Sequence, residues 1–153
     1  FLLIKEKMPA KLLLLGDGPE RPLAESICRD CMHVGDIKFL GKQEQMEDIL
    51  PLADLFLLTS EYESFGLAAL EAMAAEVPVI STNAGGLPEI NINGVTGFMS
   101  NVGDIQDMCK NSLEILKDKS THDTFKANAL AQAKLFDIDN IVPKYIKLYE
   151  TLI

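Results

Sequence analysis

Five short apolar runs, each followed by a loop and a segment of helical spacing, constrain this chain more than any other feature. The runs are Lys11–Leu15, Ile37–Leu40, Asp54–Thr59, Val77–Ser81 and Phe98–Met99. Their length suits strands, and Asp54–Thr59 is apolar on both faces, as a strand buried within a parallel sheet must be. Between them, Glu20 to about Val34 carries Leu23, Ile27 and Cys31 at helical spacing, and Met46–Ala53 places Met46, Ile49, Leu50 and Ala53 on one stripe. An alanine-rich helix is predicted over Phe65–Ala75, and a short one over Leu87–Ile90. Everything beyond Asp104 reads as helix: Asp104–Lys117, Thr121–Leu135, and Asp139–Leu152 with Pro143 in its first turn. Strand and helix in alternation, joined by short loops, predict an α/β fold with a doubly wound, Rossmann-like parallel sheet.

In such sheets ligands lie outside the carboxyl ends of the strands. The loops that matter are therefore Gly16–Glu20, Gly41–Gln45, Ser60–Ser64 and Thr82–Gly86. Composition narrows the ligand. Fourteen Lys and Arg stand against 23 Asp and Glu, a net charge of −9. That field repels polyphosphate and argues against nucleic acid, while a single nucleotide needs only a local pocket. With 153 residues, 48% of them apolar, the chain reads as one packed domain (residues 1–153) without disorder. Apolar runs such as Leu12–Leu15 and Leu55–Leu58 fall far short of the ~20 residues a membrane span needs.

Cys28, Cys31 and Cys109 have no zinc or haem spacing partners, and Cys28–Cys31 lies in a predicted helix. They read as reduced thiols of a cytoplasmic protein. The apolar Phe1–Ile4 is followed at once by Lys5, Glu6 and Lys7, unlike a signal peptide. The start at Phe1, without Met, reads as a piece of something longer.

The sharpest segment runs from Glu61 to Met73. A strand delivers the chain to a polar loop, and a helix is predicted to open near Ser64, a good N-cap residue. Gly66 would leave the N–H groups of Phe65, Gly66 and Leu67 uncovered. With the helix dipole, these make an anion site suited to a diphosphate. Glu71 would lie about two turns into the helix, in a partly apolar setting flanked by Leu67, Leu70 and Met73. A carboxylate there needs hydrogen-bond partners, and the two hydroxyls of a ribose would supply them. Glu63, before the helix, would point into the crevice and oppose positive charge developing on an anomeric carbon. The plainer reading is that Glu61 and Glu63 favour the helix dipole and that Glu71 is solvated. Both glutamates together, around a glycine-opened helix, tilt the reading toward function.

The run Glu63-Ser64-Phe65-Gly66-Leu67, continued by Leu70-Glu71-Ala72-Met73-Ala74, resembles the E-x7-E motif of the retaining glycosyltransferases of family 4, which have the GT-B fold. Gly16-Asp17-Gly18-Pro19-Glu20, Phe39-Leu40-Gly41, Ala53-Asp54, Pro78-Val79-Ile80, Gly85-Gly86-Leu87-Pro88-Glu89 and Asn93-Gly94-Val95-Thr96-Gly97 extend the resemblance over nearly the whole chain. It implies the C-terminal, donor-binding domain of a two-domain enzyme. The acceptor-binding domain, and the Arg and Lys that neutralise the donor diphosphate, would precede Phe1, so this part alone should be inactive. Glu63 would be the catalytic residue at the donor sugar, with the backbone of Ser64, Phe65, Gly66 and Leu67 holding the diphosphate and Glu71 the ribose. Lys42 and Gln43 would edge the nucleobase. No cofactor and no metal are implied.

Phe39–Gln43 and Glu61–Ala75 look most like a branch of that family acting in bacillithiol biosynthesis. That likeness implies UDP-N-acetylglucosamine as donor and L-malate as acceptor. The family usually has glycine where this chain has Glu76, which implies a local difference in helix capping. Two other readings fit the same fold: a sugar-nucleotide epimerase, and a non-catalytic dinucleotide-binding module. The second lacks a G-x-G-x-x-G opening its first helix, since Pro19 and Glu20 follow Gly18.

Several residues have simpler readings. Asp17 reads as turn-stabilising, Gly85-Gly86 as a tight turn admitting the next helix, and His33 and His122 as surface residues without partners at ligand or triad spacing. The acidic pair Glu61 and Glu63 lacks an ordered set of metal ligands. Tyr145, Tyr149, Ile141, Ile146 and Leu148 form a stripe on the last helix, expected to pack in the core or else to reach back to the absent domain. A homo-oligomer is compatible with the sequence but not readable from it.

Overall fold

A computed structural model describes residues 1–152. The chain divides into two compact units, Phe1–Met46 and Glu47–Ile153, and each is α/β with parallel strands. In the first, α1 (Leu2–Lys5) leads to β1 (Leu12–Leu15), α2 (Arg21–Arg29) and β2 (Ile37–Gly41). The two strands pair in parallel from Leu12↔Ile37, with a shift that sets Leu15 opposite Gly41. The amide of Gly16 donates to the Gly41 carbonyl at 2.8 Å, and Asp17 accepts from the Gly18 amide at 2.9 Å, which is the turn role expected of it. Pro22 sits in the first turn of α2, where its missing N–H costs nothing. The helix stops at Arg29, short of the expected Val34. Asp30, His33 and Gly35 are poor helix formers, and the chain crosses them as a turn before a 3₁₀ segment, Val34–Asp36.

The second unit holds most of the structure. From α3 (Met46–Ile49) the chain passes into a 3₁₀ turn, Leu50–Leu52. The single helix expected over Met46–Ala53 breaks there because Pro51 has no N–H to continue it. Then follow β3 (Phe56–Leu58), α4 (Leu67–Ala74), β4 (Val79–Thr82), α5 (Leu87–Ile90), β5 (Gly97–Ser100), α6 (Ile105–Leu116), α7 (Lys119–Ala133) and α8 (Ile138–Glu150). The sheet order is β3-β4-β5, all parallel. All four residues of β4 are buried, as the central position requires. Ile80, Met108, Ile115 and Phe125 form a core cluster under the sheet, with Leu55, Leu57 and Phe98 packed on it. The Phe98 and Phe125 rings lie 5.4 Å apart. On α4 the inward positions are Ala69, Ala72 and Met73, all fully buried. Their small side chains let α4 approach α7, which buries Ala129 and Ala133.

An aspartate caps each of the last three helices: Asp104 accepts from Asp107 N, Asp118 from Thr121 N, and Asp137 from Asp139 N. The cap at Asp137 starts α8 at Ile138, so Pro143 falls in the second turn rather than the first. His122 is half-buried, and its Nε2 lies 2.7 Å from the carbonyl oxygen of Asp54. The expected core stripe of α8 is also corrected. Ile141 is half-buried, but Tyr145, Ile146, Leu148 and Tyr149 are exposed, because α8 leaves the second unit's core after the 3₁₀ turn Lys134–Phe136. Among the described residues, no helix is long and apolar enough to cross a membrane.

Candidate functional site

The chain leaves β3 at Leu58 and enters α4 through Gly66, whose φ of +103° and ψ of 40° are left-handed. The helix therefore begins at Leu67, two residues later than expected. Ser64 is not its cap, and no side chain caps it. Only glycine adopts this entry without strain, and the space is also closed: a Cβ on Gly66 would stand 2.7 Å from Leu87 Cδ2 and 3.3 Å from Ile90 Cδ1. The first intrahelical bond runs from Leu70 N to Gly66 O at 3.1 Å. Among the described residues, the amides of Phe65, Gly66 and Leu67 donate to no other group outside the helix. Successive unpartnered N–H groups around a left-handed residue can form a concavity for anions; here Phe65 is half-buried, Gly66 buried and Leu67 exposed.

The loop before them is pressed against the turn after β4. Gly86 N donates to Glu63 O at 3.2 Å, and a Cβ on Gly85 would lie 1.6 Å from that oxygen. Gly85 and Gly86 do make the expected tight turn, with φ +54° at Gly85. They are glycines also because another backbone passes where side chains would be. The two segments enclose an open crevice of about 440 Å³ lined by Glu61–Ser64, Ala84, Gly85 and Val102. Its lining carries two carboxylates and no Lys or Arg.

The structure thus brings Glu63, half-buried, and Ser64 to the crevice, with Phe65, Gly66 and Leu67 following directly in the chain. Glu71 does not join that lining. It is exposed on α4, one turn beyond Leu67, and not in the partly apolar setting expected, because the buried face of α4 is made by Ala69, Ala72 and Met73. Lys42 and Gln43 belong to the first unit, where Lys42 is exposed and Gln43 Nε2 donates to Leu40 O at 2.6 Å, closing its own turn. All of the lining but Val102 falls in two of the loops singled out from the sequence, Ser60–Ser64 and Thr82–Gly86; sequence reasoning missed Val102. It also missed Phe136, whose ring meets that of Phe65 edge to face. No spacing rule links positions so far apart in the chain.

The family described as glycosyl transferases group 1 matches residues 1–132. The N-acetyl-alpha-D-glucosaminyl L-malate synthase of Bacillus anthracis is 40% identical over 151 residues, which cover 97% of this chain and 39% of the relative. Among solved structures, sucrose-phosphate synthase from Thermosynechococcus elongatus superposes with a TM-score of 0.87 at 28% identity, over 99% of this chain and 41% of that one. The Anabaena protein Alr3699/HepE in complex with UDP gives a TM-score of 0.84 at 27% identity, over 98% of this chain and 44% of that one. The chain spans less than half the length of each.

Proposed function

The chain belongs to the group 1 glycosyl transferases, and from that premise we propose that its second unit binds the donor of a retaining sugar transfer. The observation that carries this reading is the run of amides at Phe65, Gly66 and Leu67, unpartnered among the described residues, which leads into α4 next in the chain to Glu63 and Ser64 of the crevice lining. The amides meet the diphosphate, and the α4 dipole adds to their pull. Cations from elsewhere in the whole protein complete the neutralisation, since the crevice lining has none. Glu63 accepts hydrogen bonds from the donor sugar and stabilises positive charge developing at its anomeric carbon as the diphosphate leaves. Glu71, free of the buried face of α4, reaches the ribose hydroxyls.

The donor proposed is UDP-N-acetylglucosamine and the acceptor L-malate, supported by the 40% identity to the Bacillus anthracis synthase. Bound UDP in the similar Anabaena structure supports the nucleotide. Bacillithiol biosynthesis in the cytoplasm is the process this reading carries with it, and the transfer proceeds without a resident metal.

Titration with UDP, followed by calorimetry and amide chemical shifts, tests the site. Shifts centred on residues 63–71, and a loss of about tenfold in affinity for Glu71→Ala, are expected from one lost charge-assisted hydrogen bond. Equal affinity of that variant removes Glu71 from the ribose. Shifts confined to other segments overturn the site.

A further inference from the structure

We propose that Thr82 is a positioning residue for this crevice: its hydroxyl holds the loop that carries Glu63. The ladder between β3 and β4 pairs Phe56 with Val79, Leu57 with Ile80 and Leu58 with Ser81, and there it ends. On its other side β4 continues one residue further, with Thr82 opposite Ser100 on β5. Thr82 is thus fixed by backbone pairing on one edge and has no backbone partner from β3 on the other.

The side chain takes over at that point. Thr82 Oγ1 donates to the carbonyl oxygen of Ser60 at 2.6 Å, two residues past the end of the ladder, and Thr82 is only 1% exposed. The second tie follows three residues later, where Gly86 N donates to Glu63 O. Both ties come from the same short segment after β4. The loop between them, with Glu61 and Tyr62 facing solvent, is held at its two ends like a strap.

Each tie does a different job. The contact of Gly85 and Gly86 with residues 63–65 sets how close the loop lies, whereas the Thr82 hydroxyl sets where along β4 it starts. Without that donor the Ser60 carbonyl loses its partner, and the strap is free at one end. Glu63 then samples positions away from the crevice mouth. Threonine meets both needs of the place: its branched side chain suits a central strand, and its hydroxyl supplies the donor.

Thr82→Val keeps the shape and removes the donor, whereas Thr82→Ser keeps the donor. Ile115→Val, in the core cluster and outside the strap, serves as a destabilised control. For all four proteins, amide hydrogen exchange of Gly86, whose N–H is tied to Glu63 O on the strap, and UDP affinity are measured. Thr82→Ala replaces the valine variant if that one does not fold.

The expected result is exchange about fivefold faster and UDP binding about fivefold weaker in Thr82→Val, as one lost hydrogen bond implies. Thr82→Ser should restore both, and Ile115→Val should move neither. Unchanged exchange in Thr82→Val, or an equal change in Ile115→Val, overturns the proposal. The affinity arm rests on the donor-site reading, and the two are separable. If the wild-type chain does not bind UDP while Thr82→Val still loosens the loop, the donor reading falls and the strap stands. If the wild type binds UDP and Thr82→Val binds it equally with an unloosened loop, the strap falls and the donor reading stands.

Discussion

The rings of Phe65 and Phe136 meet edge to face, with centroids 5.9 Å apart and planes at 70°. The contact joins the last residue before Gly66 to the 3₁₀ turn between α7 and α8. Edge-to-face pairs contribute beyond the area they bury. Phe136→Ala should therefore lower stability by about 2 kcal/mol, seen as a drop of about 4–8 °C in Tm. It should also shift the amide resonances of Phe65 and Gly66, although the substitution lies far along the chain. A variant with an unshifted Phe65 amide would show that the contact does not hold the loop.

Ser64→Ala separates two accounts of how α4 starts. A serine acting as N-cap contributes about 1 kcal/mol. In the structure Gly66 holds that position, and no side chain caps the helix. Ser64→Ala should then change stability by less than about 0.5 kcal/mol. Gly66→Ala should cost about 2 kcal/mol or more, from the left-handed backbone and the collision with Leu87. Urea unfolding of both variants decides between the accounts.

Glu76 is the one non-glycine residue with positive φ, +61°, among the described residues. Glu76 N donates to Met73 O, and Val77 N to Ala72 O, which is the pair of bonds that ends a helix through a left-handed residue. Glycine adopts that conformation without a Cβ penalty, though it loses more freedom on folding. Glu76→Gly should therefore stabilise the chain by about 0.5–1 kcal/mol, raising Tm by roughly 1–4 °C. UDP affinity should not change.

Acid should weaken the second unit through α7. The Thr121 backbone N–H, then its hydroxyl, hold the Asp118 carboxyl below its ordinary value of 3.8. The Lys119 side chain, hydrogen-bonded to Asp123, lowers that carboxyl in the same way. A depressed folded pKa stabilises above the unfolded value, and the contribution is lost as pH falls through the folded one. Urea midpoints should thus be flat from neutrality to about pH 5 and fall below pH 3.8. Asp118→Ala should flatten part of that fall, and an unchanged slope in this variant would refute the assignment.

Much of this protein was legible in local pattern. Short apolar runs alternating with helical spacing gave β1 to β5 within a residue or two, because strand length and periodicity are properties of neighbouring residues. The helix expected over Asp104–Lys117 matches α6 to within one residue at each end, Asp104 being its cap and not its first residue. Glu61 to Met73 stood out by residue type, and Glu63 and Ser64 of that segment line one crevice.

The start of α4 was not legible, and neither was the fate of α8 or the setting of Glu71. Ser64 and Gly66 both suit a helix start, and the sequence has no term for Leu87 and Ile90 closing the space over Gly66. The stripe on α8 has core periodicity, but periodicity says which residues share a face and not whether another element covers it. Glu71 is exposed because alanines carry the packing of α4 against α7, a contact between distant segments. The sequence by itself determined which elements form and in what order, since propensity, spacing and turn chemistry act within a few residues. Only the tertiary structure decided which faces are buried and which loops touch, because packing and hydrogen bonds such as Thr82 to Ser60 join residues that chain distance keeps apart.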